Sequence, residues 1–169
     1  MTADQKAVGI GAASGVAAML GMLWLLYPVM PVPSGSGQVA VRLAYAAQWN
    51  ALAVLPLVAM FAAIGNARAL GEAIDPTLGK ESASMVINGR VAANTLEQTV
   101  LFMAGSLALA ASVSDGQVRI VAAAAITFAV MRIAFWIGYR IVPLYRAFGM
   151  SSTAYLAVAL GVYALWLNC

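Results

Sequence analysis

From Ala7 to Met30 the chain carries no charged side chain. A run of that length matches the ~20 apolar residues that cross the hydrocarbon core of a bilayer as a helix. Peptide groups in hydrocarbon must bond within their own segment, which favours helix over any open strand. Four further apolar runs follow, from about Leu43 to Ile64, Ile87 to Ser112, Val118 to Val142 and Ser151 to Leu167. Of the 169 residues, 63% are hydrophobic and 9% charged, against about 25% charged in a soluble domain. The sequence therefore predicts an all-α integral membrane bundle of five transmembrane helices.

The breaks between the runs are marked by turn residues. Pro28, Pro31, Pro33 and Ser34-Gly35-Ser36-Gly37 end the first run, because proline cannot continue a helix and glycine and serine favour turns. Pro56 suggests a kink in the second. Asn66 to Asn88 reads as the one long polar loop, Ser114-Asp115-Gly116-Gln117 as a tight turn, and Pro143 as a break followed by a connector from Leu144 to Met150. The first run is too long for the apolar core of a signal peptide and no A-x-A site follows it, so it reads as a retained helix. Gly11, Gly15, Ala18 and Met22 make one side of it a small-residue stripe that lets another helix approach closely. The chain thus divides into an N-terminal helix with its loop, residues 1–38, and a four-helix membrane domain, residues 39–169.

Five spans put the termini on opposite sides of the membrane. Lys6, Arg68, Lys80, Arg140 and Arg146 lie on the side of the N-terminus, with Arg90 at its edge; only Arg42 and Arg119 lie on the other. The positive-inside rule then puts the N-terminus in the cytoplasm and the C-terminus outside; the expected location is a bacterial inner membrane. The net charge of +3 comes from these helix-end cations, which lipid headgroups account for, so no nucleic acid is expected as a partner.

There is no histidine, and the only cysteine is Cys169. That excludes histidine bases, Ser/His triads, histidine-bound haem or metal, and structural disulfides. What remains is arginine chemistry. Arg90, Asn94 and Glu97 recur at i, i+4 and i+7, so on a helix they form one polar stripe running from the interface toward the hydrocarbon. Arg132 and Tyr139 share a face of the fourth span, and Arg132 lies about two turns inside its end. An arginine at that depth needs a partner, and Glu97 is the only carboxylate in the membrane part, which predicts an Arg132 to Glu97 pair. Two accounts are open at this point. Such a network can fix helix register alone; or the excess of guanidinium over carboxylate groups can bind an anion through forked contacts.

Two motifs, Arg90-x3-Asn94-x2-Glu97 and Arg132-x6-Tyr139-x6-Arg146, fall in order at the spacing of the MAPEG family, the membrane-associated proteins of eicosanoid and glutathione metabolism. Arg68 falls near the end of the preceding helix, as an arginine does in that family. The resemblance covers about Leu43 to Leu167 and leaves the first helix as an addition. It implies a homotrimer of four-helix bundles that binds glutathione between subunits. Arg90, Asn94, Glu97, Arg132 and Tyr139 would be glutathione contacts, Arg146 would face the sulfur as the catalytic group, and Arg68 would approach from a neighbouring subunit. Phe135 and Gln98 stand where eicosanoid-pathway members tend to have aromatic or hydroxyl-bearing residues, so the implied substrates are small lipophilic electrophiles. The implied activity is that of a glutathione transferase or peroxidase. The competing expectation is a non-catalytic subunit of the same fold, docked to another membrane protein through the first helix.

Overall fold

The computed structural model describes residues 1–169 apart from the side chain of residue 76. The chain forms five long helices: α1 (Ala3–Leu26), α2 (Val39–Leu70), α3 (Ala83–Ser112), α4 (Arg119–Ile141) and α5 (Arg146–Trp166), with short 3-10 turns at Tyr27–Val29, Pro76–Leu78 and Pro143–Tyr145. Each long helix returns antiparallel to the one before it. The membrane bundle expected from composition is therefore the observed fold.

α4 is the central element. Its Val121–Ala125 face, with Phe128, Met131, Arg132 and Phe135, is buried, and it touches all four other helices. Alanines on this face let neighbours approach closely, and the stacked rings of Phe102 and Phe128, 4.5 Å apart, fill the gap to α3. α2 and α5 lie on opposite sides of the α3–α4 pair. α1 packs on α5 and α4 and not on α2 or α3. It stands outside the four-helix core.

Four helices are long and apolar enough to cross a membrane; α3 is not among them. The first half of α3 holds Asn88, Arg90, Asn94, Glu97 and Gln98. It still runs the height of the bundle. Trp136 of α4 bonds it near its start, at Asn88 (2.9 Å), and Arg42 of α2 bonds it at its end, at the Ala110 and Ala111 carbonyls. Arg42 also donates to the Ser36 and Gly37 carbonyls. A buried cation there satisfies the last carbonyls of α3 and opposes the negative end of its dipole.

Three sequence expectations shift. α2 continues through Pro56 to Leu70 and α3 starts at Ala83, where Ser82 caps it by accepting from the Met85 N–H. The polar loop is correspondingly shorter than Asn66 to Asn88. α5 begins at Arg146 and not at Ser151: Pro143 opens a single 3-10 turn that feeds the helix directly, as proline favours an initial helical turn. Finally, Gly11 and Gly15 face α5 of the same chain. A Cβ on Gly15 would lie 2.1 Å from the backbone oxygen of Phe148, so this glycine permits backbone contact between α1 and α5. Ser151 fastens the crossing by donating to the Ala12 carbonyl at 3.0 Å. The small-residue stripe is consumed inside the chain.

Candidate functional site

At the end of the bundle where α3 and α5 begin and α4 ends, Arg90, Asn94, Phe135, Tyr139, Arg146 and Met150 line a pocket of about 300 Å³. Three helices supply it, and their approach is set by Gly149. A Cβ there would come within 2.5 Å of the Met131 oxygen and the Phe135 nitrogen, so only glycine lets the first turns of α5 rest on the backbone of α4. That contact brings Arg146 and Met150, on either side of Gly149, against Phe135 and Tyr139.

Arg146 donates to the Tyr139 hydroxyl at 3.2 Å, and its guanidinium lies 5.3 Å from the centre of the Tyr139 ring. No side chain caps the start of α5. The positive end of its dipole therefore adds to the positive potential around Arg146. Among the described residues the only ion pair is Arg68 with Glu81, in the loop region away from the pocket. Neither Arg90 nor Arg146 has a carboxylate partner.

Arg132 does not line the pocket. It is fully buried behind it, with its guanidinium 4.2 Å above the centre of the Phe135 ring. Its terminal nitrogens donate to the Asn94 side-chain oxygen at 3.1 and 3.3 Å, while its Nε has no partner. The expected pair of Arg132 with Glu97 is not formed, and Glu97 is exposed. The reason is angular. Asn94 and Glu97 lie about 60° apart around a helix of 3.6 residues per turn. The buried stripe Val91, Ala92, Thr95, Thr99, Phe102 turns the Asn94 edge toward α4 and leaves Glu97 outside.

Two donors converging on one oxygen fix the Asn94 amide. Its carbonyl half must face Arg132, which leaves its NH2 half for the pocket. Four expected site residues, Arg90, Asn94, Tyr139 and Arg146, thus meet in one pocket. Arg132 acts on it through Asn94. Glu97 and Arg68 lie outside it within a single chain. Sequence reasoning missed Asn88, whose bond to Trp136 sets the α3–α4 register, and Met150, which forms a wall. The signal for the first was present: 88 with 136 and 94 with 132 are pairs of nearly constant sum, as antiparallel neighbours require.

The arrangement presents two unpaired guanidinium groups, an amide NH2 and a phenol at the mouth of a membrane bundle. It is suited to a small molecule with carboxylates, which arginine binds bidentately. It holds no histidine, cysteine or metal-binding cluster among the described residues. Neither a curated protein nor a solved structure matches the chain. Residues 43–166, from the second turn of α2 to the end of α5, match the family model for the MAPEG family; with most of its length so matched, the chain belongs to that family of membrane proteins associated with glutathione and eicosanoid metabolism.

Proposed function

We propose that this chain is a glutathione-dependent membrane transferase or peroxidase acting on small lipophilic electrophiles. The observation that carries the reading is the pocket itself: Arg90 and Arg146 enter one cavity without a carboxylate between them. Two guanidinium groups converging on one concave site with no counter-charge suit an anionic ligand held by forked contacts. The donor set fits glutathione, with Arg90 and the Asn94 NH2 available to its carboxylates and Arg146 to its sulfur. Bound there, glutathione supplies a thiol whose ionised form conjugates an electrophile or reduces a hydroperoxide.

The chain supplies the rest. Arg146, held by Tyr139 at the start of α5, favours the ionised thiol through its own charge and the dipole of the helix. Arg132 keeps Asn94 in the orientation that donates. Phe135 and Met150 exclude water from one side. The reading includes a homotrimer in the cytoplasmic leaflet of a bacterial inner membrane, as family proteins are generally trimeric. A neighbouring copy would close the open side of the pocket and bring Arg68 or Glu97 to it.

The test is calorimetric titration of the detergent-solubilised protein with glutathione, paired with conjugation of a model electrophile. Binding is expected in the wild type, and at ten times Kd it should raise stability by about 1.4 kcal/mol. Neither heat nor thermal stabilisation at millimolar glutathione would end the reading. The competing reading, a non-catalytic subunit docked to another membrane protein through α1, loses the Gly11 and Gly15 side, which packs on α5, and keeps the outward face with Ile10, Leu20 and Trp24.

A further inference from the structure

Four buried side-chain atoms lack a hydrogen-bond partner among the described residues: Asn50 Nδ2, Thr95 Oγ1, Gln98 Oε1 and Arg132 Nε. Asn50 belongs to α2, where its oxygen accepts from Ser106 toward the other end of the bundle. The other three share the seam between α3 and α4, behind the polar pocket. Phe102 marks that seam by stacking on Phe128 of α4. Thr95, seven residues before Phe102, lies about 20° to one side of it around the helix, and Gln98, four residues before, about 40° to the other. Arg132 faces the same turns. Its Nη1 stands 3.4 Å from the Asn94 carbonyl, the group that accepts from the Gln98 N–H in an α-helix. Helical side chains lean toward the helix N-terminus, so Gln98 leans back over that carbonyl.

We infer that Arg132, Gln98 and Thr95 bind one structural water behind the pocket, and that Gln98 and Thr95 are positioning residues, holding through that water the guanidinium that orients Asn94. The effect on glutathione rests on the proposed function, while the water site stands on burial and donor chemistry alone. Thr95 and Arg132 are 0% exposed and Gln98 9%, and polar atoms so buried are rarely left unpaired. The three are complementary. Both terminal nitrogens of Arg132 grip the Asn94 oxygen, which fixes the guanidinium and turns its Nε–H, a donor, aside. Gln98 Oε1 and Thr95 Oγ1 are acceptors. One donor and two acceptors are the set that a single water completes, accepting once and donating twice, and a buried water makes about three such bonds. An anion would face the Gln98 oxygen and a cation the guanidinium. The set therefore suits a neutral molecule that both accepts and donates. Held at Nε as well as at its tip, the guanidinium cannot swing, and the Asn94 NH2 stays turned to the pocket.

The experiment is a thermal-unfolding cycle on the detergent-solubilised full-length protein without glutathione, in wild-type and Arg132→Met backgrounds. Thr95→Val removes one acceptor at nearly constant volume and should lower Tm by about 3 °C, the shift that one lost buried hydrogen bond makes in a chain of this size. In the Arg132→Met background, where the donor is gone, the same substitution should cost little. Thr95→Ser, which keeps the hydroxyl, should retain most of the wild-type Tm. Gln98→Leu repeats the cycle from the other acceptor should Thr95→Val fail to fold. Equal losses of Tm in both backgrounds would overturn the inference, as would a high-resolution crystal structure with no ordered water between the three groups. Calorimetry supplies a second arm. Thr95→Val and Gln98→Leu should each weaken glutathione binding about fivefold, the scale of one hydrogen bond, and unchanged affinity in both would remove the positioning role. Absence of glutathione binding by the wild type would end the proposed function and leave the thermal cycle to decide the water site.

Discussion

The Arg146 guanidinium has one chemical consequence that separates catalysis from mere binding. A positive charge favours the ionised thiol, so it lowers the pH at which the nucleophile forms. A free thiol titrates near about 8.5, and at pH 7 only about 3% is ionised. Arg146→Ala should therefore cut conjugation about tenfold or more at pH 7, with the deficit shrinking as pH passes about 9; a pH–rate profile of both proteins checks it, and an equal deficit at every pH would assign Arg146 to binding alone. Asn94 and Arg132 make a second expectation. Asn94→Ala strands a buried guanidinium already lacking a partner at Nε, a change of the kind that costs about 3 to 5 kcal/mol. The double variant Asn94→Ala with Arg132→Met should recover most of the lost thermal stability but not glutathione affinity. If the double variant is as unstable as the single one, the bond between the two side chains is not what holds α3 against α4. The sequence made Arg132 legible as a buried cation in need of an acceptor. It did not reveal which acceptor, because Asn94 and Glu97 sit on one stripe and the packing of Val91, Thr95 and Phe102 decides the last 60° of rotation.

At the scale of elements, spacing and composition located every helix, since apolar runs punctuated by Pro and Gly leave few alternatives in a bilayer. The ends were less visible. Pro143 was readable as a break, but neither the single 3-10 turn that starts α5 three residues later nor the contact of Gly149 with α4 that holds Arg146 at the pocket was. Gly11 and Gly15 pose the same problem: a small-residue stripe announces close approach without naming the partner. The partner is α5, and this has a measurable consequence. Gly15→Leu would drive a side chain into the Phe148 backbone, where nothing flexible can give way. After proteolytic cleavage in the Ser34–Gly37 loop, wild-type α1 should remain bound to the other four helices through gel filtration, and the Gly15→Leu α1 should separate. Co-elution of both would mean that the contact at Gly15 does not hold α1.

For the molecule as a whole, the site and most of the cations share one end. Lys6, Arg68, Lys80, Arg90, Arg140 and Arg146 lie there, against Arg42 and Arg119 at the other. The structure sharpens that asymmetry, because both far-end arginines are engaged locally. Arg42 is spent on four backbone carbonyls, and Arg119 donates to the Gly116 carbonyl while stacking over Tyr27. Lys and Arg counts set orientation, so the site end is expected in the cytoplasm. The chain carries its own reporter: Cys169 is the only cysteine, is exposed, and follows α5 at the opposite end. A membrane-impermeant maleimide added to intact cells, with the outer membrane made permeable, should label it without lysis. Labelling that appears only after lysis would reverse the orientation. Reversal would also remove the chemistry, because the pocket would then face the oxidising side, where thiols are driven to disulfides and the supply of reduced glutathione that the cytoplasm maintains is absent.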